Sequence, residues 1–143
     1  MEKRWIKFYS GESFPDRDSV YDFLVSKLCE TAEGQLLLKD KLYYREEIGS
    51  IQIEEQVVLP HLQYEGPWQG IIILRLKTPI KIWSEGIDSV KLVICLVISE
   101  EMEENAKKKI RSFVRKLSRR DFFQFLLQKE ESIIEAYLEQ GDL

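Results

Sequence analysis

Histidine is almost missing from this chain: His61 is the single one in 143 residues. Cysteine occurs twice, at Cys29 and Cys95, far apart in sequence. That poverty excludes the usual zinc and redox spacings, so neither a structural metal nor a cofactor is expected. Each cysteine has apolar neighbours, Leu28 in one case and Ile94 and Leu96 in the other. Both read as buried free thiols, because free cysteine behaves as a small hydrophobe. Long apolar runs are also lacking. The longest, Leu92 to Ile98, has seven residues, against the roughly 20 that a membrane helix needs. No membrane insertion is expected. The opening "MEKRWIKFYS" has charges but no apolar run, so a secretory signal is not expected and a cytoplasmic location is. Positive charge is not in excess. Lys and Arg number 21 against 25 Asp and Glu, a net of −4, and such a surface does not on average attract nucleic acid or anionic lipid. No internal repeat, low-complexity segment or linker divides the chain.

What is present is an ordinary globular composition, 44% hydrophobic and 32% charged, long enough for one domain over residues 1–143. Trp5, Ile6, Phe8 and Tyr9 suggest a short edge strand. "FPDRDS" reads as a turn and a helix start, with Asp18 or Ser19 as N-cap. Val20, Phe23, Leu24 and Leu28 follow at helical spacing, and Gly34 is placed to end that helix in a left-handed conformation. A second helix is expected over about 35–44, with Leu37, Leu38 and Leu42 on its apolar side. Then the period changes. Strands are expected near 51–59, 70–77, 79–83 and 90–98, and the continuous apolar character of two of them fits strands covered on both faces. From Met102 the pattern is helical again. Met102, Ala106, Ile110, Phe113, Val114 and Leu117 make one stripe, and shorter helices are expected over 120–127 and 130–140, the last stopped at Gly141. The fold class that follows is α/β: one mixed sheet of about four to five strands with helices on both faces.

His61 follows "VVLP", at the C-terminal end of a buried-looking strand, where α/β sheets gather ligands and chemistry. Neutral imidazole there is a competent nucleophile or base. A loop histidine with one satisfied hydrogen bond is the plainer alternative. Arg45 has two readings as well: a positive group in a site, or a helix-end cation that complements the dipole and stacks on Tyr43 or Tyr44.

The stretch "YYREEIGSIQIEEQVVLPHLQ" resembles the signature of phosphotransferase-system enzyme IIA domains of the mannitol and fructose type. The matching residues are Arg45 and Glu46, then Gly49 and Ser50, then Leu59, Pro60 and His61. "TPIKIW" and "VKLVICLVIS" continue the likeness, as do the helices after them, so it covers about residues 18 to 140. The resemblance implies a phosphocarrier that takes a phosphoryl group on His61 from HPr and passes it to an enzyme IIB protein. It makes Arg45 a catalytic partner of His61, and Arg45 and Ser50 the phosphate-binding groups, with no metal. Three features depart from the pattern. Ile51 stands where the family has a threonine. Glu54, Glu55 and Gln56 replace a glycine-containing turn. No histidine occupies the second-histidine position, which falls at Asn105 or Ala106.

Those departures keep a different class of function open: an enzyme IIA-like interaction module, such as the C-terminal domain of a sugar-responsive transcriptional regulator or antiterminator. The chain fits either a stand-alone carrier or a piece of such a regulator. Residues 107–120 carry eight bases and no acid, preceded by Glu100, Glu101, Glu103 and Glu104. They are expected to form a solvated helix face, with Glu103–Lys107 and Glu104–Lys108 as i,i+4 pairs. Nucleic-acid binding through this helix is the weaker alternative, because its aromatics fall on the apolar stripe and offer no stacking platform.

Overall fold

The computed structural model describes residues 4–139. Its centre is a pair of long antiparallel strands, β5 (Gly70–Ser84) and β6 (Ile87–Ile98). Along β6 the side chains alternate between two cores. Val93, Cys95 and Val97 belong to one, and Leu92, Ile94 and Leu96 to the other. This is why the run shows no polar alternation: both faces are covered. Val93, Ile94 and Cys95 are fully buried, and each such side chain contributes about 1.5–3 kcal/mol relative to exposure.

The remaining strands build outward from this pair. β1 (Ile6–Ser10) runs parallel to β5. On the other side β3 (Val57–Val58) and β4 (His61–Gln63) both run parallel to β6, and β2 (Gln52–Glu54) pairs antiparallel with β3. The sheet order is β1-β5-β6-β3-β2, with β4 beside β6. Helices α1 (Arg17–Ser26) and α2 (Ala32–Glu47) cover one face. Helices α3 (Glu104–Lys116), α4 (Arg120–Gln128) and α5 (Glu131–Glu139) cover the other. The mixed α/β sheet with helices on both faces is as expected, with six strands among the described residues. None of these helices is long and apolar enough to cross a membrane.

Several local expectations are corrected. The segment near 51–59 is not one strand but the β2–β3 hairpin, turned at Gln56 with φ 69°. The segment 79–83 is not separate but continues β5 past an irregularity between Arg75 and Ile80. Pro79 is tolerated because β1 has already ended there, leaving that side of β5 without a strand partner. The N-cap of α1 is Asp16, whose Oδ1 accepts from the Ser19 backbone N–H at 2.9 Å, so Asp18 and Ser19 lie inside the first turn. Gly34 ends nothing. It sits in the first turn of α2, where Thr31 Oγ1 caps its N–H, and a Cβ there would lie 2.3 Å from Cys29 Sγ. Leu37 is exposed rather than on the apolar side of α2, which only Leu38 and Leu42 bury. Cys95 is buried, but Cys29 is only half-buried, its thiol bonded to Thr31 in the α1–α2 connection. Those bonds hold the Cys29 pKa below the ordinary thiol value. Gly141 lies outside the described residues.

On α3, Ile110 and Phe113 are buried while Val114 is at the rim. The expected i,i+4 pairs are replaced by one i,i+3 pair, Lys107 to Glu104 at 3.6 Å. Glu103 is the N-cap, with extended backbone, so helical spacing does not begin until Glu104. Lys108 and Arg115 face solvent, whereas Lys116 donates to the Tyr137 hydroxyl oxygen at 2.7 Å and Lys109 lies over the Trp5 ring. Replacing Lys108 and Arg115 by Glu should therefore leave the fold intact, since exposed charges contribute at most about 1 kcal/mol each. A thermal melt checks this. A shift of the midpoint by more than a few degrees would show that these side chains hold the fold.

Candidate functional site

The strand that carries His61 is set by proline chemistry. Residues 57–63 keep one register along β6, from Val57 opposite Leu92 to Gln63 opposite Ile98. The ladder is interrupted at Leu59–Pro60. Leu59 N–H turns away from β6 to donate to Ile51 O at 2.7 Å, and Pro60 has no N–H to give. Pro60 O still accepts from Leu96 N–H at 3.0 Å, which keeps the chain on the sheet. His61 thus opens β4, in line with the buried strand before it.

Side-chain alternation then aims the imidazole. Leu62 is buried under α1 and α2. His61 pairs with Leu96, a member of the opposite core, so it points toward the α3–α5 side at the sheet's free edge. The ring is exposed and makes no hydrogen bond among the described residues. Its pKa is held below the ordinary histidine value, first by partial desolvation and second by the charge of Arg45. Both effects disfavour imidazolium, so the ring is neutral at neutral pH. Because His61 is the only histidine, its NMR titration is unambiguous. The midpoint should fall below 6.5, the value of the free side chain, and Arg45→Ala should raise it. A midpoint unmoved by that change would mean that Arg45 does not act on the ring.

Arg45 lies in the last turn of α2, half-buried, with Nη1 donating to Gly49 O at 3.0 Å. It is therefore both a helix-end cation and a positive neighbour of His61. It does not stack on a tyrosine; Arg17 does, 4.6 Å over Tyr43. Ser50 is exposed, and its Oγ accepts from Gln52 N–H at 3.2 Å, which leaves its O–H free to donate elsewhere. It adjoins Ile51, whose carbonyl holds Leu59. Ile51 itself is buried in the core. Glu54 and Glu55 stand at the tip of the β2–β3 hairpin. Glu54 Oε1 accepts from Glu55 N–H at 2.9 Å, and neither carboxylate bonds to His61.

Glu46, beside Arg45 in the motif, has a structural task. Its carboxylate accepts from Tyr21 O–H and from Trp83 Nε1–H at 3.1 Å, and pairs with Arg17 at 3.3 Å. Burial and this carboxylate push the Tyr21 pKa far above the ordinary phenol value, so Tyr21 stays a donor. Lys41, one turn before Arg45, was not singled out by sequence. Its Nζ donates to Gln63 O at 3.2 Å, on β4 itself. Its i,i+4 spacing to Arg45 was the available signal. Asn105 is exposed at the start of α3. It lines a separate cavity of about 710 Å³ between β1, α3 and α5, whose lining does not include His61.

A match to the family described as "Phosphoenolpyruvate-dependent sugar phosphotransferase system, EIIA 2" spans residues 1–141. The chain belongs to that EIIA family. Solved structures share the fold at low identity. The nitrogen regulatory protein IIA-Ntr from Neisseria meningitidis is 17% identical, with a TM-score of 0.69, over 94% of this chain and 93% of that one. IIA mannitol from Escherichia coli is 15% identical, with a TM-score of 0.60, over 92% and 94%. The same organism's complex of enzyme IIA and phosphorylated enzyme IIB for mannitol matches at 16% and 0.62, over 99% and 97%. A search of curated protein sequences finds no match. In this EIIA domain, His61 and Arg45 lie at one edge of the sheet, and the hairpin acids stand at the other end of β3 from His61.

Proposed function

We propose that this EIIA domain is a phosphohistidine carrier of the sugar phosphotransferase system, working in the cytoplasm. His61 takes the phosphoryl group from HPr and gives it to an enzyme IIB protein. The observation that carries this reading is an exposed imidazole that opens β4 at the sheet edge, with Arg45 from the last turn of α2 as its charged neighbour. In the transfer a lone pair on a ring nitrogen of His61 attacks phosphorus. An N–P bond forms as the phosphorus–donor bond breaks, and the donor leaves with that electron pair. The proton on the other ring nitrogen goes to solvent. The transition state is loose, so positioning and charge stabilisation suffice. Arg45 supplies a planar fork of N–H donors and Ser50 a hydroxyl. Glu54 and Glu55 stand at the hairpin tip, at the other end of β3 from His61, and a carboxylate nearer the phosphoryl group would add a few kcal/mol of repulsion.

The lack of a second histidine favours one other reading, a regulatory EIIA-like module whose charged or bare state is sensed by a neighbour or by attached regulator domains. Discharge separates the two. Protein charged by phosphorylated HPr should lose its phosphate on addition of an enzyme IIB of the mannitol or fructose type. Retention of the group in the presence of every such IIB tested would leave the regulatory reading standing.

A further inference from the structure

The cavity of about 710 Å³ between β1, α3 and α5 is not used by the carrier reading, since His61 does not line it. Its size lies within the roughly 300–1,000 Å³ of small-molecule sites. Its floor is apolar. Ile6 and Leu138 are buried there, and Trp5, Phe8, Met102 and Ala106 are half-buried around them. Its charged groups do not balance. Glu101, Glu103, Glu135 and Glu139 line it against two cations, Arg4 and Lys109. Both cations are engaged. Arg4 Nη2 donates to Glu139 Oε1 at 2.8 Å, and Lys109 Nζ lies 5.9 Å from the centroid of the Trp5 ring. The other three carboxylates have no ion-pair partner among the described residues. Glu101 and Glu103 precede α3, where negative charge complements the helix dipole. Glu135 has no such role. It stands in the middle of α5, half-buried and unpaired, beside an apolar floor.

We infer that this cavity binds a small organic cation, an amine with an apolar body, whose ammonium group is held by Glu135 and the face of Trp5. The apolar body lies on Phe8, Met102 and Leu138. The ligand class follows from the lining. An anion would meet an excess of carboxylates, and a neutral apolar molecule would leave Glu135 unpaired beside it. A metal ion is not favoured, because no three His, Cys, Asp or Glu side chains converge as ligands among the described residues. An aromatic face attracts a cation within about 6 Å of its centroid. Lys109 stands at the outer limit of that range, so the indole is open to a cation from the cavity side and a closer one would bind it better. A charge-assisted bond to Glu135 would satisfy the one carboxylate that the fold leaves without a task.

An NMR titration of the full chain with phenethylamine tests this, with phenylacetate as the anionic counterpart of the probe. The indole N–H resonances report directly. Trp5 should shift, while Trp83, buried on the opposite face of the sheet, should not. Phenethylamine should bind with a Kd on the order of 1 mM, as so small a probe allows. Glu135→Gln should raise that Kd about tenfold, because a neutral amide no longer makes the charge-assisted bond. Glu85→Gln is the control. It removes the same charge in the turn between β5 and β6, at the far end of the sheet, and should leave the Kd at the wild-type value. Unchanged melting curves confirm that both variants fold. No shift of Trp5 at tens of millimolar phenethylamine overturns the inference. Equal shifts with phenylacetate overturn it too, because the lining then does not select for positive charge. An equal loss in both Gln variants does the same, because the probe then responds only to net charge. None of these readouts involves phosphoryl transfer, so the inference stands or falls apart from the carrier reading of His61.

Discussion

His61→Ala should abolish phosphate uptake from phosphorylated HPr. No second histidine exists to take the group instead, so the loss should be complete rather than partial. Arg45→Ala should keep the acceptor and slow its charging by about 10²-fold, the usual effect of removing one preorganised stabiliser of developing charge. Arg45→Lys should recover only part of that loss, since an ammonium has no planar fork. The rates are followed as acid-labile protein phosphate. Phosphate retained after His61→Ala would place the acceptor elsewhere. Equal rates for Arg45→Ala and wild type would reduce Arg45 to the cap that its bond to Gly49 already makes it.

Glu46→Ala should be strongly destabilising although it removes no apolar core side chain. It leaves Tyr21 O–H and Trp83 Nε1–H without their acceptor, in side chains 0% and 3% exposed. Each orphaned buried donor costs about 1–3 kcal/mol, and Arg17 loses its partner too. A total of about 3 kcal/mol or more should lower the melting temperature by about 10 °C. Adding Tyr21→Phe should recover part of the loss, because it removes one of the orphaned groups. Strict additivity of the two changes in denaturant melts would mean that the Tyr21–Glu46 bond contributes nothing.

The contrast between neighbours Arg45 and Glu46 shows what sequence could reveal. The motif marked both, because both are fixed by the end of α2. It did not separate them, because the side chains leave the helix about 100° apart, one toward the sheet edge and one toward the core. The β5 and β6 strands were legible because burial on both faces removes every polar residue from Leu92 to Ile98. The β2–β3 hairpin was not, because its turn uses Gln56 at positive φ rather than glycine or asparagine. Asp16 was missed as N-cap because Asp18 and Ser19, both good capping types, follow within three residues. Leu37 was assigned to the core because it adjoins Leu38 in a three-leucine run. Only packing shows that one flank of α2 faces the sheet while the other stays open. The Arg45–His61 proximity depends on β4 running beside β6, a pairing that spans more than thirty residues and that local pattern does not contain.

Intact-mass measurement tests the central claim most directly. The wild-type chain is incubated with phosphoenolpyruvate, enzyme I and HPr, beside a known enzyme IIA as a positive control. A gain of about 80 Da on the wild-type chain is predicted, dependent on HPr, lost on brief acid treatment and absent in His61→Ala. No gain in mass under conditions that fully charge the control would contradict the assignment of His61 as a phosphoryl carrier.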